Sequence, residues 1–300
     1  MGLVILCLPA MSSILRDLLQ LTKPTIMLLV LFTGATALVV EGSLLARPGL
    51  FWLFMLGLFL TGGAANALNQ YFERDIDSRM SRTAKRRPLP LQRLSPIAAL
   101  VFSVSIGVAG VVILGLFFHL SVAILSAVTI LFYSHIYTLW LKPTTSQNIV
   151  IGGAAGAMAP IGAWMASAGA ISWLSFLMFL IIFLWTPPHF WALAIFCKDD
   201  YVKAKLPMLP VVKGDKETRR QMLIYSVLMI ASSLVCLFVG AGWLFGIAAI
   251  GLGGFFLRSV LSDWKEQTDA SAKRVFWHSI IYLFALFTAM MLDAVVMRLS

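Results

Sequence analysis

The chain has 300 residues, 60% hydrophobic and only 12% charged, with a formal net charge of +10. A soluble domain keeps about a quarter of its residues charged to hold a wet surface. Half that charge, set among long apolar runs, excludes a soluble enzyme and predicts an all-α, polytopic membrane protein. The positive balance would suit a nucleic-acid binder, but its distribution, described below, makes that partner unnecessary.

In chain order, the first ten residues (MGLVILCLPA) imitate a signal peptide without its basic n-region. Residues 1–20 are read as an N-terminal extension to which no function is assigned, with initiation at Met11 as an open alternative. A spanning helix needs about 20 apolar residues. Nine runs qualify, near 24–41, 50–70, 96–118, 120–141, 148–167, 172–196, 222–241, 243–261 and 276–297, here spans 1 to 9. They make one transmembrane domain over 1–300, whose long cytoplasmic loops are 71–95 and 197–221.

A cytoplasmic N-terminus puts 21 of the 23 Lys and Arg residues on the inside and leaves only Arg47 and Arg298 outside. That asymmetry is the positive-inside rule, so the charge reports topology and membrane lipid rather than nucleic acid. Fourteen of the 23 bases lie in the two long loops together with seven of the 13 acids. Topology requires bases only. Acids beside them point to a site.

Span 2 ends in Asn69-Gln-Tyr-Phe-Glu73-Arg-Asp75-Ile-Asp77. Residues four apart share a helix face, so Asn69, Glu73 and Asp77 form one oxygen-bearing stripe, each step rising about 6 Å. Mg²⁺ takes oxygen ligands, usually one or two carboxylates plus substrate phosphates. Arg82, Lys85 and Arg86 follow, and such side chains hold phosphate oxygens. Acids for a metal and bases for phosphate are what diphosphate binding requires. A solvated loop that pairs its own charges is the alternative from spacing alone.

Lys142 and Asn148 flank the start of span 5, where a helix N-terminus attracts anions; simple capping explains Asn148 equally well. Span 6 contains Pro187-Pro188-His189, a pair expected to break the helical ladder, about 15 Å of helix before Asp199. An ionisable group at that depth usually faces a cavity; a buried neutral histidine is the alternative. The span ends in Asp199-Asp200-Tyr201, again with bases following, so two acidic ends face the same side and could grip one diphosphate through bridging metals. Cys7, Cys197 and Cys236 are scattered and read as apolar filler.

Asn69-x-x-x-Glu73-x-x-x-Asp77 resembles the first acidic motif of the UbiA superfamily of intramembrane prenyltransferases, and further stretches resemble its heme-farnesylating branch. These are Leu21-Thr-Lys23-Pro24, Arg79-Met-Ser-Arg82-Thr83, Arg87-Pro-Leu-Pro90, Asn148-Ile-Val-Ile-Gly-Gly153, Trp185-Thr-Pro-Pro-His189 and Asp200-Tyr201 with Pro207-Met-Leu-Pro210. The resemblance covers residues 21 to about 214. It implies a helical bundle around a central cavity open to lipid, with Mg²⁺ holding farnesyl diphosphate and heme B as the acceptor that becomes heme O. On it, Asn69, Glu73 and Asp77 hold a first metal, and Asp199 and Asp200 a second. Arg82, Lys85, Arg86 and Lys142 hold the diphosphate, with Asn148 and Tyr201 beside it, and His189 contacts heme. Two departures stand out: Glu73 replaces an Asp, and Cys197 and Tyr201 fall where the wider superfamily has acids.

The competing expectations are a prenyltransferase acting on an aromatic acid or quinone precursor, and a secondary transporter. The lack of an Arg-rich transit segment points to a bacterial inner membrane. An enzyme of heme A synthesis or of oxidase assembly is the expected protein partner.

Overall fold

A computed structural model describes residues 13–299, so the first ten residues and Cys7 lie outside the described part. Among the described residues the chain forms helices and turns without strands. Nine helices there are long and apolar enough to cross a membrane: Pro24–Glu41, Pro48–Phe72, Pro96–Phe117, Leu120–Thr144, Asn148–Ala168, Trp173–Phe196, Gly214–Val239, Trp243–Glu266 and Asp269–Leu299. They realise spans 1 to 9. A shorter helix, Ser13–Leu21, precedes them.

Local chemistry sets the starts. Proline, whose missing N–H is no loss in a first helical turn, opens spans 1, 2 and 3. Ser95 caps span 3 by accepting from Ala98 N at 3.1 Å, and Ser172 and Ser175 form a reciprocal capping box on span 6. Spans 2 and 3 pack closely because glycine removes the side chain between them. A Cβ on Gly57 would lie 2.8 Å from Leu114, and one on Gly110 would lie 2.7 Å from Thr61.

Neighbouring spans pack in sequence, and span 1 also touches spans 5 and 9, which closes the bundle. Span 6 packs on spans 5, 7 and 9 and is the most buried of the nine. The connections 2–3, 4–5 and 6–7 emerge at one end, and these carry the acidic and basic loops.

Four departures from the hydropathy reading have physical causes. Span 7 begins at Gly214 rather than near 222, and span 9 at Asp269 rather than near 276. Their first turns are charged but remain helical beyond the apolar stretch, since helix formation does not need lipid. Span 5 is two pieces, Asn148–Gly156 and Ala159–Ala168; Pro160 cannot donate into a continuous ladder. The second half of span 4, Phe132–Leu141, is π-helical. Finally, span 6 runs unbroken through Pro187 and Pro188. Dense packing around residues 184–189 holds it, and Thr186 Oγ1 donates to Ile182 O at 2.8 Å.

Candidate active site

The helix of span 2 closes at Phe72, and a short turn Arg74–Asp77 continues its course. Glu73 N donates to Asn69 O at 3.0 Å and Asp77 N to Glu73 O at 2.8 Å, so the four-residue stripe survives the change of helix. Asn69, Glu73 and Asp77 are all buried. Asp75 faces away, 81% exposed beside Arg74.

Every member of the stripe has a cation against it. Lys23 Nζ donates to Asn69 Oδ1 at 2.7 Å. Lys142 pairs with Glu73 through Nζ and Oε1, and Arg87 Nη1 pairs with Asp77 Oδ2 while lying 3.9 Å from Glu73 Oε2. Of these three cations only Lys142 is marked by its place in the sequence. Lys23 was visible as part of Leu-Thr-Lys-Pro and Arg87 as part of Arg-Pro-Leu-Pro, but nothing in their spacing marks them as facing the stripe. Lys23 has a left-handed backbone (φ 54), uncommon for a non-glycine residue and a form of strain concentrated at functional positions. That turn between Leu21 and Pro24 sends its side chain to Asn69.

The π-helical segment supplies the opposite wall. Asn69 Nδ2 donates to Thr138 Oγ1 at 3.0 Å, and Thr138 Oγ1 donates to Tyr133 O, five residues back, at 2.7 Å. The wider π turn, a form frequent at functional sites, stacks Tyr133 on Tyr137 with ring centroids 5.1 Å apart. Lys142 Nζ lies 5.9 Å from the Tyr137 ring centre. Gly152 makes room for that ring: a Cβ there would approach Tyr137 to 2.2 Å.

The second acidic end is built otherwise. Asp199 is exposed on the helix Lys198–Lys203. Asp200 Oδ1 accepts from Ser81 N at 3.3 Å and from the Ser81 hydroxyl, and Asp200 Oδ2 accepts from Arg82 N at 3.3 Å. It thereby caps the short helix Ser81–Ala84. Thr83 Oγ1 donates to Asp77 O at 2.7 Å, so one turn joins the two ends. Tyr201 is buried beneath it, while Arg82, Lys85 and Arg86 are exposed on the loop.

Asn148 is fully buried, with Nδ2 donating to Thr145 O at 2.5 Å and Oδ1 left without a hydrogen-bond partner. His189 lies deeper in span 6, stacked between Trp185 and Phe276 at centroid distances of 4.3 and 4.5 Å, with Nδ1 2.7 Å from Ser279 Oγ. A cavity of about 380 Å³ lined by Ser43, Arg47, Phe118, His119 and Ser167 lies at the far ends of the spans, away from the acids.

The charges shape one another. Burial works to raise the Glu73 carboxyl, but Lys142, Lys23 and Arg87 outweigh it and hold the group below the usual carboxylate range. Asp77 goes the other way, raised by burial and by Glu73 beyond what Arg87 offsets. Burial, with Arg87 close by, brings the Lys23 ammonium down from 10.5 to about 7. Asp200 sits low because the Ser81 hydroxyl and the Ser81 and Arg82 amides all donate to it.

The donor set fits a hard divalent ion, since an amide oxygen and two carboxylates from one helix end are ligands that Mg²⁺ accepts. No group of three or more His, Cys, Asp or Glu suited to hold a metal occurs among the described residues. The three donors are instead engaged by Lys23, Arg87 and Lys142. With all five groups ionised the cations carry one charge more than the two carboxylates, which a diphosphate together with Mg²⁺ would largely neutralise.

Nine spans with polar machinery at one end of the bundle define an intramembrane enzyme, and the chain belongs to the UbiA prenyltransferase family, whose pattern matches residues 29–286. It is 46% identical over 284 residues to the protoheme IX farnesyltransferase of Erythrobacter litoralis, covering 93% of this chain and 92% of that protein. A solved structure from work on digeranylgeranylglyceryl phosphate synthase in membranes shares the fold, with a TM-score of 0.78 at 18% identity, covering 94% of this chain and 99% of that one. A UbiA homolog from Archaeoglobus fulgidus bound to DMAPP and Mg²⁺ also shares it, with a TM-score of 0.67 at 13% identity, covering 91% and 99%.

Proposed function

We propose that this chain transfers the farnesyl group of farnesyl diphosphate to a vinyl group of heme B, forming heme O and diphosphate. Membership of the UbiA family supports prenyl transfer, and the identity with protoheme IX farnesyltransferases over nearly the whole chain supports this donor and acceptor. The observation that carries the mechanism is the meeting of Asn69, Glu73 and Asp77 with Lys23, Arg87 and Lys142 at one buried helix end. The transporter reading loses ground there, because transporters bind near the midplane.

Heme is a weak nucleophile, so the donor must be made electrophilic. Cleavage of the farnesyl C1–O bond releases diphosphate and leaves an allylic cation. Charge growing on the leaving group is what fixed donors stabilise best in a site poor in water. Lys142 and Arg87 reach it by exchanging their carboxylates for phosphate oxygens, and Lys23 by leaving Asn69. Arg82, Lys85 and Arg86, exposed on the same loop, extend the field outward. Asn69, Glu73 and Asp77 would hold Mg²⁺, which when bound supplies Lewis-acid neutralisation of the diphosphate.

The heme vinyl carbon then attacks farnesyl C1. Water adds to the resulting benzylic-type cation, leaving a hydroxyl and releasing a proton. Apolar walls limit earlier capture of the farnesyl cation by water. Asn148, Tyr201, Asp199 and Asp200 border the donor side in this reading. His189 is the candidate heme contact through its Nε2, because Nδ1 is engaged with Ser279. The charge asymmetry of the loops supports a cytoplasmic site, and the bacterial sources of the similar farnesyltransferases support a bacterial inner membrane.

The test uses membranes containing the chain, supplied with farnesyl diphosphate, Mg²⁺ and heme B, with extracted hemes read by mass. The expected product is a heme heavier by a hydroxyethylfarnesyl group, absent with EDTA and in Asp77→Asn. No such heme, with turnover of an aromatic acid instead, would overturn the acceptor.

A further inference from the structure

Behind the loop that carries Arg86 and Arg87 lies the helix Ser13–Leu21, within the extension to which sequence reading assigns no function. Its outer face shows Ile14, Leu15 and Arg16 to the surroundings, while Asp17 and Leu21 are buried. Asp17 Oδ1 lies 3.0 Å from Arg93 Nη2 as an ion pair without hydrogen-bond geometry, and the same nitrogen donates to Gln20 Oε1 at 3.0 Å. Gln20 Nε2 donates to Arg86 O at 2.7 Å, the carbonyl of the peptide leading into Arg87.

Apolar contacts complete the attachment. Leu21 packs with Ala67, Leu89, Leu94 and Ala99 in a small core separate from the main one. Span 2 grips the helix end from the other side, with Gln70 Nε2 donating to Gln20 O at 3.2 Å and Leu21 O at 3.0 Å, and Asn66 Nδ2 donating to Thr22 O at 3.2 Å. The next residue is Lys23, whose ammonium meets Asn69.

This helix therefore reaches the segments that carry both cations the stripe receives from outside span 4: Lys23 as its continuation, and the Arg87 loop through Arg86 O and through Arg93, whose N donates to Pro88 O at 3.0 Å. We propose that Asp17 and Gln20 are positioning residues for the prenyl diphosphate, holding Arg87 and Lys23 in register with Asn69, Glu73 and Asp77 without touching the substrate. The inference rests on the diphosphate reading of the site. An arginine on an untethered loop spends part of its interaction with the diphosphate on being ordered, a cost met as the substrate binds and therefore read in KM. Asp17 is suited to the task because its side chain is only 4% exposed and its partner Arg93 is 39% exposed. The pair is anchored on the helix side and reaches out to the loop.

The experiment compares Asp17→Asn, Gln20→Ala and Arg93→Gln in the full chain, reconstituted in lipid nanodiscs. KM for farnesyl diphosphate is expected to rise about tenfold in each, with kcat at saturating donor and KM for heme within about twofold, the pattern of lost ground-state binding. Combining Asp17→Asn with Arg93→Gln should add little to either alone, since both cut one connection. If Asp17→Asn fails to accumulate, Gln20→Ala, which removes no charge, carries the test. An unchanged donor KM, or an equal rise in the heme KM, would overturn the proposal. If the unaltered chain makes no farnesylated heme, the acceptor reading falls by itself. Equilibrium binding of labelled farnesyl diphosphate to the same variants then decides: weaker binding supports the clamp, and equal binding removes it.

Discussion

The two acidic helix ends look alike in the sequence and are built on different principles. At the end of span 2, Glu73 and Asp77 are buried and answered by the side chains of Lys142 and Arg87. At the end of span 6, Asp199 is exposed and Asp200 is answered by the Ser81 hydroxyl and two backbone amides. A side-chain cation can swing from a carboxylate to a phosphate, whereas an amide is fixed in its turn. The first end is thus suited to exchange partners with a substrate, and the second to hold a loop in place.

The largest effects should come from the first end. Glu73→Gln and Asp77→Asn are each expected to lower turnover by about a hundredfold or more, the scale of losing one preorganised electrostatic group. Farnesylated heme measured by mass at saturating substrates checks this, and near-normal turnover in both would break the contrast between the ends.

Asp200→Asn should be milder. Losing a charged cap costs about 1 kcal/mol in the Ser81–Ala84 turn, which should appear as a roughly fivefold rise in donor KM. A Mg²⁺ titration of this variant sharpens the comparison: a matching rise in half-saturation assigns Asp200 to a second metal, and no rise leaves it as the anchor of the turn.

Gly152→Ala tests the π-helical wall that stands opposite the stripe. Its Cβ would meet the Tyr137 ring at 2.2 Å, and overpacking of this kind costs about 1–3 kcal/mol. A lower melting temperature with a several-fold loss of turnover is expected; an unchanged protein would mean that the stacked tyrosines shift freely. The smallest effect should belong to Asp75→Asn, at a side chain that is 81% exposed. Such surface changes stay within about 0.5 kcal/mol, so turnover within about twofold of the unaltered chain is expected, and a larger loss would bring Asp75 into the site.

Much of the architecture was legible because lipid leaves few alternatives. A chain in hydrocarbon must satisfy its backbone internally, so apolar length translates directly into helices, and all nine runs became spans. Charged first turns were not legible in the same way, which is why Gly214 and Asp269 open helices ahead of the apolar windows. The Pro187-Pro188 pair misled for a related reason: local propensity argues for a break, and packing on three neighbouring spans overrides it. In the site, Asn69, Glu73 and Asp77 follow from helical periodicity alone. Lys23 and Arg87 do not, because each reaches the stripe across a turn and no sequence spacing encodes that approach.

By itself, then, the sequence determined the solvent, the nine spans and the acidic stripe, all of them consequences of composition and of contacts within four residues along the chain. Only the tertiary structure decided which cation answers each acid, that Asp200 caps a loop 119 positions away from it at Ser81, and that Asp17 and Gln20 reach that loop from the N-terminal helix. Such pairings join segments far apart in the chain, and they depend on where packing places whole helices rather than on any local preference of the residues involved.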